Sequence, residues 1–356
     1  MIAILIFTVI TGVLIFYQVF TQGLFSNIIM AVLSLVAAVT ALNYYEPLSV
    51  ILNDKVGIMN IGWRGVSLLA IFVVTLFALR MTSDQLIKGN MNFPMIIDRA
   101  GSGLCALISS LTISGMIALG LQNMPISAVI LGFDRCGESL QQQESDKGFF
   151  PFGDSFVTAV MGQVSCYCLA GRDSFAHHHP DYLRELYLNR LIPDDFKGSR
   201  QEAGSDALAV EEMWPISSVL RDTQNNEEVT LETGESLIGV RIKLKPGQGN
   251  RGDMGTVDGD KSIRFSMGQI RLVGFDPDEP DKPGYSRYPI GFHAKGRPAY
   301  LKKSLNEGHF YKSSQNQPLS LLFKWPGKLG KAPPQYIEFK QSSRSPTRLK
   351  KASDEK

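Results

Sequence analysis

The residue best placed to act as a nucleophile is Ser155, which follows Gly153-Asp154. A serine hydrolase also needs a histidine base and a carboxylate that orients it. In the trypsin-like order the histidine precedes the serine, but the first histidine of this chain is His177. In the lipase-like order an Asp stands three residues before a late histidine, and neither of the two later histidines has one. We therefore interpret Asp154 or Ser155 as the cap of a helix whose apolar face runs from Phe156 to Val164, and we expect no catalytic residue.

Three consecutive histidines, His177-His178-His179, could coordinate a metal ion together with Asp173 or Asp181. Consecutive side chains point in different directions on any regular element, which disfavours a shared ion. Pro180 places the triplet ahead of "DYLRELYLNRL", a segment with one apolar helical face. We favour a polar turn before a helix, with a weak metal site as the alternative.

The four cysteines, Cys105, Cys136, Cys166 and Cys168, lack the spacing of a structural zinc site. We interpret them as small core side chains, and a disulfide from Cys136 to Cys166 or Cys168 stays open for an oxidising compartment. No phosphate-binding glycine loop precedes a helix, and basic residues are interspersed with acidic ones. We expect no metal, no cofactor and no nucleic-acid partner, and the sequence identifies no small-molecule substrate.

The elements that position these residues differ between the two ends of the chain. Residues 1–125 carry five basic and four acidic side chains, whereas residues 126–356 carry 31 and 30. Four apolar runs, at about 1–20, 24–45, 62–82 and 101–121, each have the length that a helix needs to cross a bilayer. We therefore predict a four-helix transmembrane domain over residues 1–122. Charged and aromatic side chains predicted to lie at the membrane boundary are Asp98, Arg99, Tyr44, Tyr45 and Trp63.

Small residues recur at helical spacing on the second and fourth runs. Helices in lipid associate through close backbone approach, which small side chains permit. We predict that these two stripes pack face to face. No ionisable residue lies deep in a run, which disfavours an ion or proton pathway. The predicted packing residues are Ala31, Ser34, Ala38 and Ala41 on the second run, and Gly101, Gly103, Ala106, Ser110, Ser114 and Ala118 on the fourth.

The first third of the chain resembles the colicin V production protein (CvpA) family of bacterial membrane proteins. The resemblance rests on Gly23-Leu24-Phe25 between the first two runs, on Tyr44-Tyr45, and on Asp98-Arg99 ahead of Gly101 and Gly103. Ser26-Asn27 stand where the family often has a charged stretch. The resemblance implies a multi-pass inner-membrane protein linked to toxin production, without an established catalytic act. It also implies a relationship to four-helix anchors of periplasmic domains.

In the remainder of the chain the spacing of apolar residues changes. Residues 123–228 are predicted as a connecting helical region, and residues 341–356, rich in Ser, Lys and Arg, as a disordered tail. Between them, "SLIGVRIKL", "SIRFSMGQIRLVGF", "PLSLLFKW" and "QYIEFK" alternate apolar and polar residues between Pro- and Gly-rich turns. We predict a soluble α+β part whose C-terminal half, 229–340, is an antiparallel β-sandwich-like domain. Its last two segments resemble the closing strand pair of immunoglobulin-like domains.

These features predict a multi-pass membrane protein of the CvpA type that anchors and displays a non-catalytic β-rich domain in the bacterial inner membrane. The Lys and Arg counts of the links between runs slightly favour both chain ends outside, in the periplasm. Expected partners are the lipid bilayer and another envelope protein or a second copy. A membrane-anchored hydrolase using Ser155 is the first alternative, and a transport or secretion accessory protein is the weaker one.

Overall fold

The computed structural model describes residues 2–347, apart from 57–61, 88–90, 92, 136–151, 172–173, 192–202, 205–206, 246–254, 258–259, 313–317, 327–328 and 330. The chain divides into two compact units. The helical unit comprises residues 1–136 and 145–164, and the sheet unit comprises 137–144 and 165–356. Each is described by itself below.

In its described residues the helical unit contains five helices: α1 (Ile2–Thr21), α2 (Leu24–Val56), α3 (Trp63–Leu86), α4 (Met95–Gln122) and α5 (Gly153–Cys166). The first four are long and apolar enough to be candidate transmembrane helices. Helices α1 and α4 run antiparallel, since Phe7 near the start of α1 packs on Ala118 and Gln18 near its end contacts Ser110. Helix α2 packs against both α3 and α4. The predicted helical composition of the first third is therefore confirmed.

Helix α2 does not end at Tyr45 as the sequence suggested, but continues through Pro47 to Val56. A proline removes one backbone hydrogen bond without forcing the chain to stop when neighbouring helices hold it. Here Glu46 forms an ion pair with Arg64 of α3. The guanidinium of Arg64 also lies over the ring of Tyr45, 5.6 Å from its centroid. Tyr45 is fully buried beside this pair, and its position at a membrane boundary stays a prediction.

Of the other predicted boundary residues, Trp63, Asp98 and Arg99 lie near the start of a helix, whereas Tyr44 lies within α2. Tyr44 is exposed, Trp63 begins α3, and Asp98 and Arg99 lie in the first turn of α4, with Arg99 exposed. Asp98 turns inward and accepts a hydrogen bond from the backbone N–H of Leu24, at 2.9 Å between the nitrogen and Oδ1. This bond ties the turn between α1 and α2 to the start of α4.

The small side chains of α2 and α4 are buried, but the stripe on α4 does not face α2 alone. Ser110 contacts Gln18 of α1, and Ala118 packs with Phe7 of α1. A side-chain carbon on Gly101 would lie 2.7 Å from Leu24 of α2, whereas one on Gly103 would meet nothing within 4 Å. The predicted face-to-face pairing of two stripes therefore needs correction, because α4 lies between α1 and α2 and uses small residues toward both. The buried members are Ala31, Ser34, Ala38, Ala41, Ala106, Ser110, Ser114 and Ala118.

The described part of the sheet unit contains two short helices, α6 (Phe175–His178) and α7 (Tyr182–Arg190), and three sheets. The strands are β1 (Leu208–Ile216), β2 (Arg221–Asp222), β3 (Ser236–Leu244), β4 (Gly255–Val257), β5 (Asp260–Ser266), β6 (Ile270–Gly274), β7 (Tyr285–Arg287), β8 (Pro289–Phe292), β9 (Ala299–Lys302), β10 (Gly308–Lys312), β11 (Leu319–Trp325), β12 (Pro334–Phe339) and β13 (Ser343–Pro346). The largest sheet has the order β1-β3-β11-β8-β9-β2, and the others are β13-β12-β6-β7 and β10-β5-β4. Neighbouring strands pair antiparallel except β2 and β9.

The prediction of antiparallel sheets is confirmed, with three differences in detail. Strand β1 lies in the region predicted to be helical, where it pairs with β3. Strand β13 lies in the segment predicted to be a disordered tail, where it pairs with β12. Strands β11 and β12 belong to different sheets, so the expected immunoglobulin-like closing pair is wrong. Strands β1 and β11 both pair with β3, which is distant in the sequence and which local composition does not encode. Strand β13 instead forms a hairpin with β12, the strand directly before it.

Candidate functional site

A polar seam joins α1, α2 and α4 inside the helical unit. Ser109 of α4 donates to the side-chain oxygen of Gln18, at 2.5 Å, and the amide nitrogen of Gln18 lies 3.5 Å from Ser110. Asn27 of α2 donates to the backbone oxygen of Gln18 at 3.2 Å and to the hydroxyl of Ser102. All five side chains are at least 97 % buried. The seam places the polar side chains of three apolar helices in contact with one another.

Hydroxyl groups elsewhere on these helices bond to their own backbone. Thr40 donates to the carbonyl oxygen of Val36, and Thr82 donates to that of Ala78, each at 2.8 Å. Both hydrogen bonds lie on exposed faces of their helices. A hydroxyl bonded to the carbonyl four residues earlier needs no water, so such residues are compatible with an apolar solvent.

Asp154 forms a second buried polar group, at the start of α5. Its side chain is fully buried and forms an ion pair with Arg135, which is 4 % exposed. Gln122, at the end of α4, donates to the same carboxylate at 3.1 Å. The backbone N–H of Ser155 donates to the other carboxylate oxygen at 2.8 Å. The helix begins at Gly153, so Asp154 and Ser155 lie in its first turn and neither is the cap that the sequence suggested.

Ser155 does not belong to a hydrolase triad within the helical unit. Its hydroxyl lies 3.4 Å from Asp154, but every histidine of the chain follows residue 176 and belongs to the sheet unit. A serine without a base remains protonated and weakly nucleophilic. This arrangement gives Ser155 a place in the first helical turn and no partner for acyl transfer within its own unit.

The sheet unit contains a buried network of charges that we did not predict from the sequence. Arg271 of β6 bonds to Glu338 of β12, and its NH1 atom lies 2.7 Å from Glu185 of α7. Arg344 of β13 donates to the second oxygen of Glu338 at 2.6 Å. Gln341 donates to the second oxygen of Glu185 at 3.0 Å. Two arginines thus neutralise two glutamates and fasten α7 to β6, β12 and β13.

Electrostatic attraction within this network outweighs the cost of burial for Arg271. Burial alone would lower the pKa of Arg271, but attraction by Glu185 and Glu338 raises it above its ordinary value. Burial raises the pKa of the Tyr336 hydroxyl, which bonds to His178. The guanidinium of Arg271 and the hydroxyl of Tyr336 therefore each keep one charge state through the physiological range. Their part of the network is suited to holding the fold rather than to transferring protons.

The three predicted histidines separate around this network. His177 is buried and stacks on Phe275, with ring centroids 4.5 Å apart. His178 bonds to the Tyr336 hydroxyl at 2.9 Å, and His179 bonds to Glu185 at 2.8 Å. His177 and His178 end the short helix α6 and His179 caps it, in place of the polar turn that we expected, and each ring has a different partner. Among the residues that the structure describes, no group of three or more His, Cys, Asp or Glu side chains could hold a metal ion.

The cysteines that the structure describes carry free thiols, namely Cys105, Cys166 and Cys168. Cys136, the partner that we considered for Cys166 or Cys168, lies outside the described residues.

One signal for the buried network was present in the sequence. Arg271 interrupts the apolar run "IRLVG", in which every residue of β6 is buried. A charge in a fully buried strand requires a counter-charge, although the run does not say which residue supplies it.

Comparison with protein-family models, curated proteins and solved structures finds no match for this chain.

Proposed function

We propose that this chain is a multi-pass membrane protein in which the four long helices of the helical unit anchor and display a non-catalytic sheet unit. The supporting observation is the distribution of polarity in that unit. Many apolar side chains on three of its helices are more than half exposed, including Leu5, Val13 and Phe16 of α1, Val74 and Phe77 of α3, and Leu104 of α4. The polar side chains of the seam are buried. A water-soluble helix has the opposite arrangement, with its apolar face inward.

The seam supplies a second reason to favour lipid as the solvent. An unpaired amide in hydrocarbon costs several kcal/mol, so Gln18 and Asn27 have a strong preference for partners on a neighbouring helix. In water the same amides would be satisfied at the surface. Pairing Gln18 with Ser109, a residue 91 positions away, therefore favours a bundle that assembles within a bilayer.

The resemblance to the CvpA family supports a bacterial inner membrane and a link to toxin production. We further propose that the sheet unit lies on the external side. We also propose that its partner is another envelope protein or a second copy of the chain. The helical unit, which holds Ser155, contains no histidine, and this disfavours the hydrolase alternative.

The anchor is tested by placing a charge on a lipid-facing position. Val74, 66 % exposed, lies near the middle of α3, and Val219, 63 % exposed, lies in the sheet unit. Val74→Arg is expected to lower insertion because an arginine at the centre of a membrane helix costs about 3 kcal/mol. Val219→Arg, the matched control, is expected to change stability by less than about 0.5 kcal/mol. The measurement is the amount of chain in carbonate-washed membranes.

Equal amounts of both variants in the membrane fraction would contradict the anchor.

The side of the sheet unit is tested separately with a reporter enzyme fused after Lys356. We expect a reporter that folds only in the periplasm to be active, and activity of a cytoplasmic reporter would reverse the orientation.

A further inference from the structure

Helix α5 begins against the interior of α4 rather than beyond its end. A side-chain carbon on Gly115 of α4 would lie 2.2 Å from the carbonyl oxygen of Gly153. Conversely, such a carbon on Gly153 would lie 2.8 Å from the carbonyl oxygen of Leu111. The two backbones therefore touch, and only glycine at both positions permits this distance.

The depth of this contact follows from the length of α4. The apolar run predicted on α4, 101–121, contains 21 residues and is about 31 Å long. This length is close to the thickness of a bilayer's hydrocarbon core, which is about 30 Å. Gly115 lies six residues before Leu121, about 9 Å inside that stretch. If α4 spans the bilayer, as the proposed function requires, Gly153 lies at a similar depth.

The chain between α4 and α5 provides an independent sign of contact with lipid. Ile130 and Phe133 exchange two backbone hydrogen bonds, at 3.1 and 2.9 Å, around a tight turn at Leu131-Gly132. Phe133 packs onto the cluster of Ala3, Phe7 and Ala118. Leu131 at the tip of the turn is 55 % exposed. The turn pairs the backbone groups of its two end residues and packs on α1 and α4 through Phe133, and irregular backbone at membrane depth is tolerated where protein encloses it. Leu131 adds an apolar side chain to the exposed side of the turn.

Two charges of the same region point inward. Arg135, two residues after Phe133, is 4 % exposed and pairs with the fully buried Asp154, whereas Asp134 is partly exposed. Phe152, directly before α5, is 50 % exposed. The ion pair is thus enclosed by protein while Leu131 and Phe152 are exposed.

We propose that the turn at 130–133 and the start of α5 form a fifth bilayer-embedded element, in which lipid acyl chains cover Leu131 and Phe152. This proposal rests on the proposed function and adds to it, because it places an ion pair, Arg135 with Asp154, within the hydrocarbon region. Ion pairs at that depth are rare and are retained where a protein uses them.

Nitroxide accessibility tests the embedding directly. The full chain, with its four cysteines replaced by serine, is reconstituted in phosphatidylcholine–phosphatidylglycerol vesicles with one spin label at Leu131→Cys or Phe152→Cys. Val74→Cys in α3 is the lipid control, and Val219→Cys in the sheet unit is the water control. The ratio of collision rates with oxygen, which partitions into lipid, and with a water-soluble nickel chelate is measured at each position.

We expect the oxygen-to-nickel ratios at Leu131 and Phe152 to lie close to that of Val74 and well above that of Val219. If Val74 has a lipid ratio and Phe152 a water ratio, the fifth element is refuted and the four-helix anchor stands. The refutation holds whatever the ratio at Leu131, because Phe152 marks the start of α5. If Val74 itself has the ratio of Val219, the proposed function fails and the embedding fails with it.

Discussion

The contact between α4 and α5 makes Gly115 the most sensitive glycine of the helical unit to test. Gly115→Ala introduces a carbon 2.2 Å from the carbonyl oxygen and 2.4 Å from the carbonyl carbon of Gly153, whereas ordinary contacts begin at 3.4 Å. The backbones must therefore separate by about 1 Å, and overpacking of this kind costs about 1–3 kcal/mol. Gly103→Ala on the same helix meets nothing within 4 Å. It is expected to be neutral or to stabilise by up to about 1 kcal/mol, the helix-propensity difference between the two residues.

The assay is equilibrium unfolding in mixed micelles of a mild detergent and increasing sodium dodecyl sulfate, followed by far-ultraviolet circular dichroism. The two variants share a helix and a chemical change, so any effect of the detergent on α4 cancels in their difference. We expect Gly115→Ala to unfold at a lower dodecyl sulfate fraction than the parent, and Gly103→Ala to unfold at the same or a higher fraction. Indistinguishable midpoints for the two variants would refute the backbone contact between α4 and α5.

Three further predictions concern buried charges and one histidine. Asp154→Asn leaves the guanidinium of its partner buried and uncompensated, so the free energy of unfolding should fall by about 3–5 kcal/mol. Glu338→Gln removes the carboxylate shared by two arginines and should cost a similar amount of about 3–5 kcal/mol. Burial lowers the pKa of His309 below its ordinary value of 6.5. As the pH falls through 6.5, the unfolded chain therefore takes up the proton before the folded chain, and stability is lost. His309→Phe, beside Phe265 and Phe292, should lose less stability between about pH 7 and pH 5.

Each of these predictions has a matched control. Ser155→Ala changes the residue next to Asp154 and should cost less than about 1 kcal/mol, so equal losses at both positions would exclude a special role for the ion pair. Glu212→Gln removes a carboxylate from a partly exposed cluster with Arg241 and Lys295 and should cost about 0–1 kcal/mol. For His309, parallel stability curves of parent and variant against pH would show that its titration does not contribute.

The apolar helices could be predicted from the sequence because their signal is local. A run of about twenty apolar residues is recognised as a candidate membrane helix from its own length and composition, whatever it packs against. The end of α2 could not be predicted in this way, because Pro47 is tolerated only where Glu46 finds Arg64 on another helix. Eight of the ten small residues predicted to pack are buried, and Gly101 and Gly103 are not. The partner of Ser110 lies on α1, since spacing defines a face and not its neighbour.

The buried network of the sheet unit illustrates what composition leaves out. Arg271 meets one partner 67 residues later, in Glu338, and bonds to a backbone oxygen, that of His178, 93 residues earlier. Alternation predicted the inward residues of β3, Ile238, Val240, Ile242 and Leu244, all of which are buried. The alternation gave no information on which strands pair, because pairing is decided by contacts between strands from different parts of the chain and not by one segment alone.

The polar seam also makes the first helix depend on the fourth. Gln18 is synthesised long before Ser109 and Ser110, whose hydroxyls contact its side-chain amide. In the bilayer setting that we propose, a nascent chain that ended after α3 would hold this amide without those hydroxyls, at a cost of several kcal/mol in hydrocarbon. The contacts of α1 would therefore be complete only once α4 had joined the bundle.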